Sequence, residues 1–140
     1  MSNLVSCALI AYQIYSSRRT RSEASKIQWS NINDGLVPTL KLERTKTSKK
    51  NKKTDFGMGA DELDVIQTIK KDRLNNPASK FYYPPTDPRF DYVFPSRAYG
   101  SKSSNGKTCT TPYLTDVDKT WKKVLLLAGV KRKLKHYATR

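Results

Sequence analysis

Arginine- and lysine-centred fragments recur along this chain, and arginines from distant parts of a chain together with a lysine on a hairpin are what handling a phosphate without metal requires. In order, the fragments are Arg18-Arg19-Thr20-Arg21-Ser22-Glu23, Ile27-Gln28-Trp29-Ser30-Asn31-Ile32, Leu40-Lys41-Leu42-Glu43-Arg44-Thr45-Lys46-Thr47, Tyr92-Val93-Phe94-Pro95-Ser96 and Tyr137-Ala138-Thr139-Arg140. A chain of 140 residues is one domain with a modest core. Its hydrophobic share of 36% against 28% charged residues predicts a thin core and wide polar loops. Basic residues outnumber acidic ones 27 to 12, for a formal charge of +15. An excess of that size raises a strong positive potential, and the common polyanionic partner is nucleic acid. The bland alternative is a solubilising surface. A basic RNA binder is a weaker one, because the chain lacks an aromatic-and-glycine RNA signature.

Several classes drop out on composition. Cys7 and Cys109 lie far apart and make neither a disulfide framework nor a zinc spacing, which points to a reduced, cytoplasmic setting. His136 is the lone histidine and has no carboxylate cluster around it, so no metal is expected. Leu4 to Tyr15 is apolar, but Ser6, Cys7 and Gln13 break it, and it is too short to span a bilayer. It also lacks the basic leader of a signal peptide. It reads as a buried helix, and no membrane association is expected.

Periodicity predicts the elements. Leu4, Ala8, Ala11 or Tyr12, and Tyr15 recur at helical spacing over residues 2–16. Ser22 to Trp29 reads as a second, shorter helix with Ala24 and Ile27 inward. Asn33-Asp34-Gly35 is a turn. Val37 to Arg44 alternates, with Leu40 and Leu42 on one face of a half-buried strand. Five lysines follow between residues 46 and 53, and Asp55-Phe56-Gly57-Met58 is the returning strand of a hairpin with a basic tip. Asp61 to Leu74 is a third helix, acidic at its start and basic at its end, as the helix dipole favours. Asn75 to Pro88 is a long loop, and Ala98 to Lys107 is a Gly/Ser-rich surface loop. The last helix is expected to start with Thr111 as N-cap and Pro112 in the first turn. Leu114, Val117, Trp121, Val124 or Leu125, and Ala128 form its predicted stripe, and Gly129 ends it. Core packing is the expected role of Trp29 and Trp121, in preference to base stacking.

The basic fragments have a chemistry in common. A phosphodiester under attack spreads negative charge over its non-bridging oxygens, and two guanidinium forks can bind those oxygens bidentately without metal. Arg19 or Arg21, together with Arg140, are the candidate forks. Lys46 follows a strand that would fix its backbone, and a lysine so held can protonate a leaving 5′ oxygen. Lys49, Lys50, Lys52 and Lys53 suit phosphate tracking, with salt sensitivity from counterion release. The alternative for all of them is ordinary backbone contact without catalysis.

The order of these fragments resembles the catalytic domain of the tyrosine recombinases, the phage-integrase family, over nearly the whole chain from about Leu4 to Arg140. Arg18 to Glu23 followed by Trp29-Ser30-Asn31-Ile32 looks like the family's first arginine segment. Arg44-Thr45-Lys46-Thr47 is similar to its hairpin, Tyr92 to Ser96 to its Val-Phe-Pro segment, and Tyr137-Ala138-Thr139-Arg140 to its second arginine box. The resemblance implies an α+β, mainly helical recombinase catalytic-domain fold with a small antiparallel sheet. It implies transition-state stabilisation by Arg19 and Arg140, acid catalysis by Lys46 and assistance from Tyr137, with Arg21 and Glu23 in support. Contacts to double-stranded DNA would come from Arg18, Arg44, Lys49, Lys50, Lys52, Lys53, Lys131, Arg132, Lys133 and Lys135. His136 falls one residue too far from Arg140 for the box and is read as a phosphate-contact or surface residue.

The family's spacing sets its first arginine three residues before the acidic one. That position is Thr20 here, so either a one-residue shift passes the role to Arg19 or Arg21, with Arg19 preferred, or the position has been lost. The family's attacking tyrosine lies beyond the second arginine box, so residues 1–140 correspond to a catalytic domain cut short of its nucleophile. Such a chain is expected not to cleave DNA alone. A 3′-phosphotyrosyl mechanism conserves the bond energy, so no cofactor or metal is implied. Other recombinase protomers assembled on DNA are the implied protein partners.

Overall fold

Leu40 and Leu42 point from one strand into the same core as the helices, and that common face organises the molecule. The computed structural model describes residues 4–16, 24–43 and 53–130, the side chains of Glu43, Lys53 and Thr54 excepted. Over those residues it is an α+β fold. Helix α1 is Leu4–Ser16, and short 3-10 turns follow at Ala24–Lys26 and Trp29–Asn31. Strands β1 (Ile32–Asn33), β2 (Thr39–Glu43) and β3 (Lys53–Gly57) make an antiparallel sheet in that order. Helices α2 (Ala60–Asn75) and α3 (Asp118–Leu127) complete the described elements.

The hairpin matches its expectation. Leu40 pairs with Phe56, Leu42 with Thr54 and Glu43 with Lys53, so the two leucines share a face and are buried. Helix α2 also lies where its charge polarity put it. It buries Glu62, Ile66 and Ile69 at spacings of four and three residues. Arg73, one turn further on, continues that face.

Three local expectations give way. The expected second helix is replaced by two 3-10 turns, because the backbone between them is taken up elsewhere. Ile27 O accepts from Val93 N at 3.0 Å, and Trp29 N donates to Asp91 O at 2.7 Å. Ala24 and Ile27 are nevertheless buried as expected. Helix α1 meets its expected stripe only in part: Tyr12 is buried and Ala8 packs on the core, but Leu9, Ile10 and Gln13 are buried with them while Leu4 and Tyr15 are more than half exposed. The last helix begins at Asp118, where the Asp116 carboxylate accepts its N–H at 2.9 Å. Thr111 to Leu114 instead runs alongside the Val-Phe-Pro segment. Ser96 N donates to Pro112 O at 2.9 Å and Leu114 N to Phe94 O at 2.8 Å. Those tertiary bonds outweigh a local cap signal. Val117 and Trp121 are buried as expected, Leu114 and Leu125 pack partly buried against the core, Val124 and Ala128 are exposed, and Gly129 ends the helix at a φ of 73°.

The core draws on every described element. Tyr12 lies against Phe94 with ring centroids 5.6 Å apart and planes at 50°. Leu9, Ala24, Ile27, Leu40, Ile66, Phe81, Val93 and Val117 surround them. Helix α1 touches α2, α3 and the Ala24–Lys26 turn, and so forms the centre of the packing.

Candidate nucleic-acid interface

The residues expected to handle phosphate fall mostly in three segments. Arg18, Arg19, Arg21 and Glu23 lie in 17–23, and Arg44, Lys46, Lys49, Lys50 and Lys52 in 44–52. Lys131, Arg132, Lys133, Lys135, His136, Tyr137 and Arg140 lie in 131–140. All of these are outside the described residues. Lys53 opens β3 opposite Glu43; its side chain is likewise outside what is described.

The described body does define where those segments attach. Segment 17–23 joins Ser16 of α1 to Ala24, and α1 packs against the turn that Ala24 begins. Segment 44–52 joins the paired ends of β2 and β3 at Glu43 and Lys53. Because β1 runs antiparallel to β2, the residues preceding Ile32 lie toward the Glu43 end of β2, and the Trp29–Asn31 turn touches β2. The open end of the hairpin and the Trp29–Asn31 turn therefore share one end of the sheet. Segment 131–140 continues from Val130, just beyond α3, which itself packs on α1.

Charge is divided unequally between body and segments. The three segments contain 13 of the 27 basic residues and one of the 12 acidic residues, Glu23. Thus +12 of the formal +15 falls in them, and +3 remains for the rest of the chain. The body is close to a balanced surface, and the positive potential is a property of the segments it connects.

The two most enclosed arginines of the body are structural. Arg73 lies over Phe90 at 4.7 Å and Trp29 at 5.3 Å from the ring centroids, and its Nη2 donates to Phe90 O. Burial pulls its pKa down from the usual arginine value, while Asp91 opposes that. Arg89 lies 3.8 Å from the Tyr83 ring centroid. It bonds the Asp87 carboxylate at 2.8 and 3.0 Å and Ser96 O at 3.2 Å. The hydrogen bond to Asp87 raises the Arg89 pKa and holds Asp87 below the usual carboxylate value. Arg73 ties Phe90 of the 76–96 loop to α2 and Trp29, and Arg89 ties that loop together from Tyr83 to Ser96. Trp29, half-buried under Arg73, packs as expected and offers no free stacking platform.

Nothing in the described body suggests a second chemistry. Among the described residues no three of His, Cys, Asp and Glu come together as a metal site. Cys7 and Cys109 are free. A groove of about 320 Å³ between α1 and α2 is lined by Leu4, Ala8, Val65, Thr68, Ile69 and Phe81, with Asp64 and Asp72, and is almost wholly apolar. Among the described residues no helix is long and apolar enough to cross a membrane. Sequence reasoning passed over Arg97, Lys102 and Lys107, which are exposed on the loop after the Val-Phe-Pro segment. The available signal was the lack of any acidic residue between Asp91 and Asp116. No family model, curated protein or solved structure matches this chain.

Proposed function

We propose that this chain is a DNA-binding module of the tyrosine-recombinase type, equivalent to most of a phage-integrase catalytic domain. The observation behind the proposal is the concentration of +12 in three segments joined to a nearly neutral α+β body. One of those segments, 44–52, joins the paired ends of β2 and β3. Such segregation is what a phosphate-binding face needs, because a diffuse charge of the same size would not direct a duplex to one side. The ordered fragments from Arg18 to Arg140 supply the finer reading. In it, Arg19 or Arg21 and Arg140 hold the non-bridging oxygens, Lys46 protonates the leaving oxygen and Tyr137 assists. Attack by a tyrosine would form a 3′-phosphotyrosyl link, and strand exchange would take place between protomers on DNA.

A second reading is a DNA-binding module without catalysis. It is favoured by one residue: Thr20 occupies the position where the family's spacing sets its first arginine.

Binding to a duplex across a salt series tests the common part of both readings. Six or more phosphate contacts give a slope of log Kobs against log salt of about −5 or steeper. A slope shallower than about −2 rejects both. Alanine substitutions at Arg19, Lys46 and Arg140 then separate them. Loss of duplex binding in any one single variant supports the recombinase-type site. Undiminished binding by the triple variant supports the binding module, and a covalent adduct on a nicked suicide duplex would overturn the expectation that this chain does not cleave DNA alone.

A further inference from the structure

We propose that residues 97–110 form a preorganised ribbon that docks in the major groove of duplex DNA, a second contact surface distinct from the three basic segments. The proposal rests on the DNA-binding reading above and deepens it.

The ribbon is held at two levels. At its foot, Pro95 pairs with Tyr113, Ser96 N donates to Pro112 O, and Arg89 clamps Ser96 O. Further out, Gly100 N donates to Cys109 O at 2.8 Å and Cys109 N to Ser101 O at 2.9 Å. Ser103 N donates to Lys107 O at 2.8 Å, and Lys102 pairs with Thr108. Gly100 and Gly106 both take a φ of 82°, a left-handed backbone that side chains oppose. The segment is therefore ordered by its own backbone bonds, although every residue from 100 to 108 is exposed. At its foot Arg89 lies 5.4 Å from the Tyr99 ring centroid.

Its chemistry fits a nucleic acid. Arg97, Lys102 and Lys107 are its only charged residues, all basic and all exposed. Between Lys102 and Lys107 the tip is Ser103-Ser104-Asn105-Gly106, which presents hydroxyl and amide groups without bulk. The major groove admits a two-stranded ribbon, and small polar side chains there bond base edges while flanking cations reach the phosphates. Ordering a loop on binding costs affinity, and a ribbon already hydrogen-bonded avoids most of that cost.

The test compares two triple variants of the full chain by duplex binding over a salt series. Arg97→Gln with Lys102→Gln and Lys107→Gln should flatten the log–log salt slope by about 2.7, or 0.9 per lost phosphate contact. Lys41→Gln with Lys71→Gln and Lys80→Gln removes equal charge from three separate exposed sites and should leave the slope unchanged. Methyl green, which occupies the major groove, should compete with the wild-type protein, and the minor-groove ligand netropsin should not. Equal flattening by both triples, an unaltered slope in the ribbon variant, or competition by netropsin alone overturns the ribbon proposal and leaves DNA binding standing. Absence of any salt-dependent duplex binding by the wild type overturns the DNA reading, and the ribbon proposal with it.

Discussion

The Tyr12 hydroxyl donates a 2.6 Å hydrogen bond to Glu62 Oε1, joining α1 to α2 across 50 residues of sequence in a buried setting. Tyr12 is fully enclosed and Glu62 only 4% exposed. Tyr12→Phe keeps the ring against Phe94 but deprives a desolvated carboxylate of this donor, at a cost of about 1–3 kcal/mol. Chemical denaturation should show a lower midpoint with an unchanged slope. A double-mutant cycle with Glu62→Met, which has no oxygen to accept the bond, should give a coupling of at least about 0.5 kcal/mol. Additive single effects would mean that the bond contributes nothing.

Arg73 is expected to behave as a core residue. Arg73→Met removes the cation over Trp29 and Phe90 together with the bond to Phe90 O, and should destabilise the fold by about 1–3 kcal/mol. Trp29 emission should shift to the red as its environment opens. An unshifted spectrum with unchanged stability would assign Arg73 to the surface.

Phe94 and Leu126 make a contrasting pair. Phe94 is fully buried against Tyr12, and Phe94→Ala should cost about 3–5 kcal/mol through the cavity it leaves. Leu126 is 79% exposed, and Leu126→Ala should stay within about 0.5 kcal/mol of the parent. Thermal melts of the two variants check both. A large loss from Leu126→Ala would show that the end of α3 is covered in solution.

The Asp34–Lys70 pair predicts a small acid dependence. A 2.9 Å hydrogen bond from Lys70, and then its charge, hold the Asp34 pKa below the ordinary carboxylate value. The stability this contributes is present above the unfolded carboxylate pKa and is lost as pH falls through the lowered folded value. Both side chains are well exposed, so Lys70→Met should cost no more than about 1 kcal/mol near neutrality. Parent and variant should converge as the medium is acidified below that value, as denaturant midpoints across a pH series would show. A gap that widened toward acid would contradict this sign.

Much of the local structure was legible from residue order. Alternation at Leu40 and Leu42 set the buried face of β2, and the acidic start and basic end of 61–74 marked α2. The basic runs marked the candidate phosphate contacts by composition. They did not mark Arg97, Lys102 and Lys107, because cations five residues apart make no run. What joins those three is the backbone pairing of the ribbon, which involves no sequence repeat.

The amino-acid order alone determined the charge and its division between body and segments, the hairpin, and the stop at Gly129, because each depends on residues a few positions apart. Only tertiary structure decided which face of α1 is buried. Periodicity picked Leu4 and Tyr15 along with Tyr12, and Tyr12 meeting Glu62 and Phe94 instead turned Leu9, Ile10 and Gln13 inward. Tertiary structure also displaced the start of α3 from Thr111 to Asp118, since backbone bonds to Phe94 and Ser96 satisfy groups that a local cap would otherwise have held. Contacts between distant residues overrule a local preference when they bury more apolar surface and leave fewer polar groups unpaired.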